Sequence, residues 1–548
     1  MPTPIFALSD RYVQRSCELD PVVATFLGVP DDFGPETDYR PDGYAARAEL
    51  IRDTLRELSG LTPTGDADRL AGDHLRERLA AELAWHDTGE PLRLLRAPFG
   101  LLQMLRNSVD LMPTGDDEQW RAVAARIAAV PRMLAGWRAS LAAGADRGLV
   151  AARRQAVEAA GQAGQYAENV TFQPVLDAYR DGPVRDELAA AAAAAHAGYA
   201  ETGRWLAQEY APRATLADGV GPDRYAVASR LSLGADIDPA EAYAWGWEEL
   251  RRLEQEMAAE AGRLQPGAGI DEAVAHLNRT GLDGVDAYRG WLQEQHDRAL
   301  AELHGVHFDI PEPLRRVEVV TLDGSSAGSA YYTPPSEDLS RPGRTWWPVA
   351  GRDRFSVWSE LTTVFHEGVP GHHLQLGQLL LVGDRLSRFA RLSRVSAYSE
   401  GWALYAERLA DELGWHSDPG TRLGMLKASA MRAARVVIDI GVHLDLPIPP
   451  EEADRHGPRW SFETATEVLR DRGRIAAHRL HPEVVRYCGW PAQATSYKLG
   501  ERAWLAARDE ARQRLGAGFD RKRWHTAALA LGPVGLGTLT ETLRDVTA

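Results

Sequence analysis

The chain has 548 residues, 44% hydrophobic and 26% charged, an ordinary balance for a globular protein long enough to bury a large core without staples. Its two cysteines, Cys17 and Cys488, exclude a disulfide framework and a cysteine-based zinc or iron–sulfur site. With 62 basic against 78 acidic residues, a net charge of −16, it repels phosphate backbones, so nucleic acid is not an expected partner.

The opening MPTPIFALSDRYVQRSCELD lacks a basic start, a long apolar run and an A-x-A cleavage site, which predicts no signal peptide and a cytoplasmic location. No stretch approaches about 18 uncharged apolar residues, so no membrane span is expected. Helical periodicity dominates from there. Residues 122–141 space apolar side chains by three and four, with Pro131 expected to break or kink the helix. Residues 188–207 carry an alanine run, the strongest helix former. Residues 240–264 and 282–303 are further amphipathic helices, the first opened by Pro239.

Between about 312 and 350 the texture changes. Residues 316–322 (RVEVVTL) are β-branched and alternating, a strand pattern. A Gly/Ser turn (DGSSAGS) and a second short strand, Ala330-Tyr331-Tyr332-Thr333, complete an expected hairpin. Helical texture resumes at Ser356 and runs to the end. The expected organisation is an α-helical region 1–300 and a mostly α region 301–548 that carries the chemistry. The expected fold class is mainly α with one small sheet.

The chemistry concentrates in Val364-Phe365-His366-Glu367-Gly368-Val369-Pro370-Gly371-His372-His373-Leu374-Gln375. The nearest mechanistic template is H-E-x-x-H, where two histidines one turn apart bind zinc and the glutamate is the general base. Here Pro370 occupies the i+4 position. In a regular helix i+6 lies about 240° round from His366, and i+7 is about 10.5 Å along the axis. Proline inside a helix clashes with the carbonyl four residues back, which belongs to His366 itself. Gly368 and Gly371 flank it, so a bulge or broken turn is expected, and π-bulges are frequent at functional sites. HEGVPGH therefore reads as the zincin motif with a two-residue insertion: His366 and His372 as ligands, Glu367 as base, His373 as the competing second ligand. A catalytic zinc needs a third protein ligand and an open position. Glu400, 28 residues after His372 and next to Gly401, is the candidate. Glu407, seven residues on, shares its helix face and can orient a histidine.

The residues now in view resemble the bacterial domain-of-unknown-function 885 family over nearly the whole chain. The resemblance rests on Asp20-Pro21-Val22-Val23-Ala24-Thr25-Phe26-Leu27-Gly28, the stretch from Ala330-Tyr331-Tyr332-Thr333-Pro334-Pro335 to Arg341-Pro342-Gly343, and above all His366-Glu367-Gly368-x-Pro370-Gly371-His372-His373-x-Gln375. Glu400-Gly401-Trp402-Ala403-Leu404-Tyr405-Ala406-Glu407, Asp439-x-Gly441-x-His443, Arg486-Tyr487, Pro491-x-Gln493-Ala494-x-Ser496-Tyr497-Lys498-x-Gly500 and Phe519-Asp520 follow in order. Two stretches depart from it: Arg344-Thr345-Trp346-Trp347-Pro348 stands where a Tyr-rich, Asn-containing run is expected, and Trp524-His525 where Phe-His is. The resemblance implies a predominantly helical, metallopeptidase-like fold with a deep channel, akin to thimet-type oligopeptidases and Taq-type carboxypeptidases.

Zinc-assisted amide hydrolysis also needs oxyanion donors and a cationic grip. Tyr497 and His443 are the candidate donors, with Asp439 four residues before His443 to orient it. Lys498, Arg435 and Arg486 are the candidate carboxylate grips. Trp346, Trp347, Trp358 and Trp402 are expected in the core or a channel wall. The expected function is hydrolysis of a peptide or small amide substrate with one zinc ion. A zinc amidohydrolase of a specialised metabolite is the alternative enzyme, and an inactive helical binding or scaffold protein the alternative from another class. No phosphate-binding glycine loop occurs.

Overall fold

The computed structural model describes residues 3–30, 33–168, 170–322, 329–349, 351–544 and 546. Helices make up most of it, and the chain forms two compact units. The first comprises Met1–Val220 with Ser387–Phe389 and Cys488–Trp490; the second comprises Gly221–Leu386, Ala390–Tyr487 and Pro491–Ala548. The boundary therefore stands at Val220, not near residue 300. Residues 221–303 belong to the second unit because their helices pack on its core. Gly246 of helix Pro239–Leu264, for example, nests against Val436 and Val437.

In the first unit, helices Pro4–Leu19, Pro41–Ser59 and Asp66–Asp87 close over Ile5, Leu8, Leu50, Leu75 and Leu79. Helices Asp117–Asp146 and Arg185–Trp205 share a larger core. Asp117–Asp146 runs through Pro131 without a break. Gly198 of the partner helix faces that ring, where an added Cβ would meet Pro131 Cα at 3.0 Å. Packing along thirty residues outweighs the roughly 3 kcal/mol cost of an internal proline.

In the second unit, Asp238 caps helix Pro239–Leu264 by accepting from the Ala240 and Glu241 N–H groups, so the helix opens at Pro239 as its sequence predicts. The expected helix over 282–303 spans Val285–Leu303; the two residues before it form strand β1, Leu282–Asp283. Strands β2 (Glu318–Leu322) and β3 (Tyr331–Thr333) are both present, but they do not pair as a hairpin. Strand β4, Arg344–Pro348, lies between them, parallel to β2 (Glu318↔Arg344) and antiparallel to β3 (Tyr331↔Trp346). Burial decides this: Trp346 and Trp347 are core residues, Trp346 stacking on Tyr331 at 5.8 Å and Trp347 edge-on to Tyr288. Residues 323–328 of the expected Gly/Ser turn lie outside the described residues. Strand β5, Arg354–Phe355, pairs antiparallel with β1. Among the described residues no helix is long and apolar enough to cross a membrane.

Candidate metal centre

The motif folds as two helices with a gap between them. Helix Leu361–Glu367 ends at Gly368, and helix His372–Leu381 begins after Gly371. Of the expected bulge or broken turn, the chain takes the second, as a full interruption. Pro370 has no N–H to continue the ladder. The Gly371 N–H reaches back to the Phe365 carbonyl at 3.0 Å, and the His373 N–H to the Gly368 carbonyl at 3.1 Å. A Cβ at Gly371 would lie 2.1 Å from the His366 oxygen, and one at Gly368 would lie 2.2 Å from His296 Nδ1. Both positions need glycine for close approach. Trp402 Nε1 donates to the Pro370 carbonyl at 2.8 Å and pins the gap to the next helix.

That next helix, Ser396–Glu412, brings Glu400 to the two histidines. It crosses helix Ser496–Leu515 where Gly401 meets Gly500; a Cβ on Gly401 would lie 2.4 Å from the Gly500 carbonyl carbon. Ligand-capable atoms of His366, His372 and Glu400 all lie within 4.8 Å of one another. Glu400 Oε2 is 3.3 Å from His366 Nε2 and 3.5 Å from His372 Nε2. Three ligands of a tetrahedral ion with bonds near 2.1 Å sit about 3.4 Å apart. Glu400 Oε2 is buried and makes no hydrogen bond among the described residues, which is costly unless something else satisfies it. Two imidazoles and a carboxylate with this spacing fit zinc or a similar divalent ion.

Around this triad the support is dense. His366 Nδ1 is 2.8 Å from Glu407 Oε1, Thr362 Oγ1 donates to the same carboxylate, and Arg432 pairs with it at 3.1 Å. Burial pushes the Glu407 carboxyl up, but Arg432 and His366 hold it below its ordinary value. Burial likewise opposes ionisation of Glu400, yet His366 and His372 keep it well below the carboxylate range. Glu367 differs. It is 6% exposed, and burial raises its carboxyl above the ordinary value although His366 and His372 pull it back. A carboxylate of raised basicity beside a ligand cluster is suited to accept a proton.

Other expected site residues divide into those near the triad and those elsewhere. His373 is engaged elsewhere: its Nε2 meets the Leu314 carbonyl at 2.9 Å and its Nδ1 the Tyr332 hydroxyl at 3.0 Å. Tyr497 is half-buried and stacks on the His366 ring at 6.4 Å. Burial and Glu400 raise its phenol, so it stays a donor. Arg435 lies over the Tyr497 ring, Cζ 4.5 Å from the centroid. It donates to Tyr487 and Glu483, and Arg486 also reaches Glu483 at 3.0 Å. Lys498 is no grip: its ammonium is buried between Glu249 and Glu501 and bonded to Ser429, which neutralises it. Nor does His443 serve the triad. Its Nε2 meets the Tyr487 carbonyl at 2.9 Å, and burial pushes its imidazole down to about 4. The expected Asp439–His443 pair does not form, because Asp439 Oδ1 accepts from the Tyr225 hydroxyl and the Ala492 N–H. Trp402 and Trp347 are core residues.

Thr362, Arg432 and Glu483 are not among the site residues the sequence predicts. Each carries a helical spacing signal: Thr362 stands four before His366, Arg432 three before Arg435, and Glu483 three before Arg486. Spacing alone does not distinguish such pairs from ordinary surface ones.

Solved structures share this fold. The chain covers 99% of a crystal structure of a putative lipoprotein from Colwellia psychrerythraea, itself covered to 99%, with 20% identity and a TM-score of 0.83. A structure of a putative lipoprotein of unknown function from Shewanella oneidensis matches over 98% of this chain and 99% of its own, with 17% identity and a TM-score of 0.72. At these identities the likeness speaks for the fold alone. No curated protein matches the chain. Residues 21–543, nearly the full length, match one family, and the chain therefore belongs to the family described as bacterial protein of unknown function (DUF885).

Proposed function

We propose that this protein is a metal-dependent hydrolase of a peptide or peptide-like amide bond, related in mechanism and channel architecture to the helical glutamate zincins. The observation that carries the proposal is the convergence of His366 Nε2, His372 Nε2 and a buried Glu400 Oε2, without a hydrogen bond among the described residues, on one point, with Glu367 the residue next to His366. His366, His372 and Glu400 would hold one zinc ion. When bound, the ion polarises the scissile carbonyl and lowers the pKa of water.

The chain's own residues supply the rest. Glu367, its basicity raised by burial, accepts the proton of the attacking water and returns it to the leaving amine. Glu407 fixes the His366 ring through Nδ1, leaving Nε2 for the metal side. The Tyr497 hydroxyl, kept protonated by burial, donates to the developing oxyanion. Arg435 and Arg486 bind the substrate's anionic part. A cytoplasmic location is part of the proposal; cell fractionation decides between it and the lipoprotein description borne by the two similar structures.

Elemental analysis of protein purified without chelators, together with a screen of short peptides, tests the reading. The expected result is about one zinc per chain and turnover that Glu367→Gln lowers by a hundredfold or more, with metal content unchanged. Absence of metal under every loading condition, or full turnover in Glu367→Gln, would overturn it.

A further inference from the structure

Near the triad, guanidinium groups gather around Glu483. Arg435 Nη2 and Arg486 Nη2 each lie 3.0 Å from Glu483 Oε2, and the Tyr487 hydroxyl donates to the same oxygen at 2.5 Å. Arg479 stands within electrostatic reach of both Glu483 and Arg435. Two carboxylates, Glu483 and Glu360, thus face three guanidinium groups, and Glu360 is shared with Arg352 and Lys427. Arg486 and Arg435 are 6% and 5% exposed, and Glu483 is 8% exposed. Burying excess positive charge is expensive unless an anion completes the set. Among the described residues Arg479 makes one bond, from Nη2 to Ser329 Oγ, and its buried Nε has no hydrogen-bond partner.

Distance fixes what this cluster can reach. The Tyr497 ring is 6.4 Å from the His366 ring and 4.5 Å from the Arg435 guanidinium carbon. Laid end to end, these separations put Arg435 within about 11 Å of the His366 ring. An extended residue spans about 3.5 Å. An anion held beside Arg435 is therefore within reach of a group one or two residues past a carbonyl at the triad.

We infer that Arg479, with Arg435 and Arg486, forms a subsite for the C-terminal carboxylate of a short peptide, which makes the enzyme an exopeptidase cutting one or two residues from that end. The inference rests on the hydrolase reading for its chemistry, but the subsite exists or fails independently of the metal. Arginine suits the role because its planar fork matches a carboxylate, and Arg479 supplies donors not already committed to Glu483.

Calorimetric titration of the full-length protein with N-acetyl-L-alanine and with N-acetyl-L-alaninamide tests this, on zinc-loaded and chelator-treated samples. The expected result is saturable binding of the acid, at least tenfold tighter than the amide in both samples. Arg479→Gln should abolish that preference and Arg479→Lys restore part of it, each with a melting temperature near that of the parent. Equal binding of acid and amide overturns the subsite. So does a preference that survives Arg479→Gln, or one that vanishes on chelation, since the carboxylate would then be seeking the metal. Binding of inorganic phosphate without binding of the acid overturns the peptide-end assignment. A protein that shows the preference but never holds metal keeps the subsite and loses the hydrolase reading. One that holds zinc and shows no preference does the reverse.

Discussion

His372 and His373 are neighbours in the chain with opposite roles. His372 turns its Nε2 to Glu400, while His373 is fully buried between Leu314 and Tyr332. His372→Ala should therefore lose metal with little change in fold. His373→Ala should lower stability by about 2–4 kcal/mol, since it strands a buried carbonyl and a hydroxyl; metal content and denaturant unfolding of the two variants check this. Asp439 gives a second prediction. Burial pushes its carboxyl from 3.8 up to about 7, against the stabilising bonds from Tyr225 and Ala492. Between those values the unfolded chain has lost a proton that the folded chain keeps. Stability is then highest below pH 4 as far as this group is concerned, and falls as pH rises through 7. The loss is on the order of 4 kcal/mol at 1.4 kcal/mol per unit. Asp439→Asn should flatten that part of a stability–pH profile measured by urea unfolding.

At the scale of elements, the site depends on a helix that stops and on two helices that touch. The gap from Gly368 to Gly371 lets His366 end one helix while His372 starts the next. The crossing at Gly401 and Gly500 presses helix Ser396–Glu412 against Ser496–Leu515, which sets Glu400 and Tyr497 beside the histidines. Gly401→Ala places a methyl 2.4 Å from the Gly500 backbone. Backbone cannot yield as a side chain does, so the helices must separate, at a cost of about 1–3 kcal/mol. Metal affinity should drop with stability, because Glu400 is the next residue; titration with zinc in the presence of a competing chelator reads the shift. The same substitution at Gly414, where no atom lies within 4 Å but φ is +83°, should cost stability alone.

For the molecule as a whole, a bound ion is a ligand of the folded state only. At a thousandfold excess over its dissociation constant it adds about 4 kcal/mol. Chelation should therefore lower the melting temperature by several degrees, and added zinc should restore it; the His366→Ala variant should show neither change. The second unit holds the triad, the guanidinium cluster and the small sheets, so the effect belongs to its transition.

By itself the sequence determined the helical class, the three candidate ligands and the proposed base. Period-3.6 patterning and a Pro-Gly interruption between histidines are local features, legible without a fold. Only tertiary structure decided the rest. It set His372 beside Glu400 and turned His373 away, hydrogen-bonded to the Leu314 carbonyl and the Tyr332 hydroxyl. It removed Lys498 and His443 from the site, because Glu249, Glu501 and the Tyr487 carbonyl claim them from distant segments. It inserted β4 between the strands of the expected hairpin and moved the unit boundary to Val220, since burial of Trp346, Trp347 and Gly246 depends on partners far along the chain. A pattern shows what a segment can form, but which side chain is left free for chemistry depends on which others are already bonded, and that is set by contacts between residues remote in sequence.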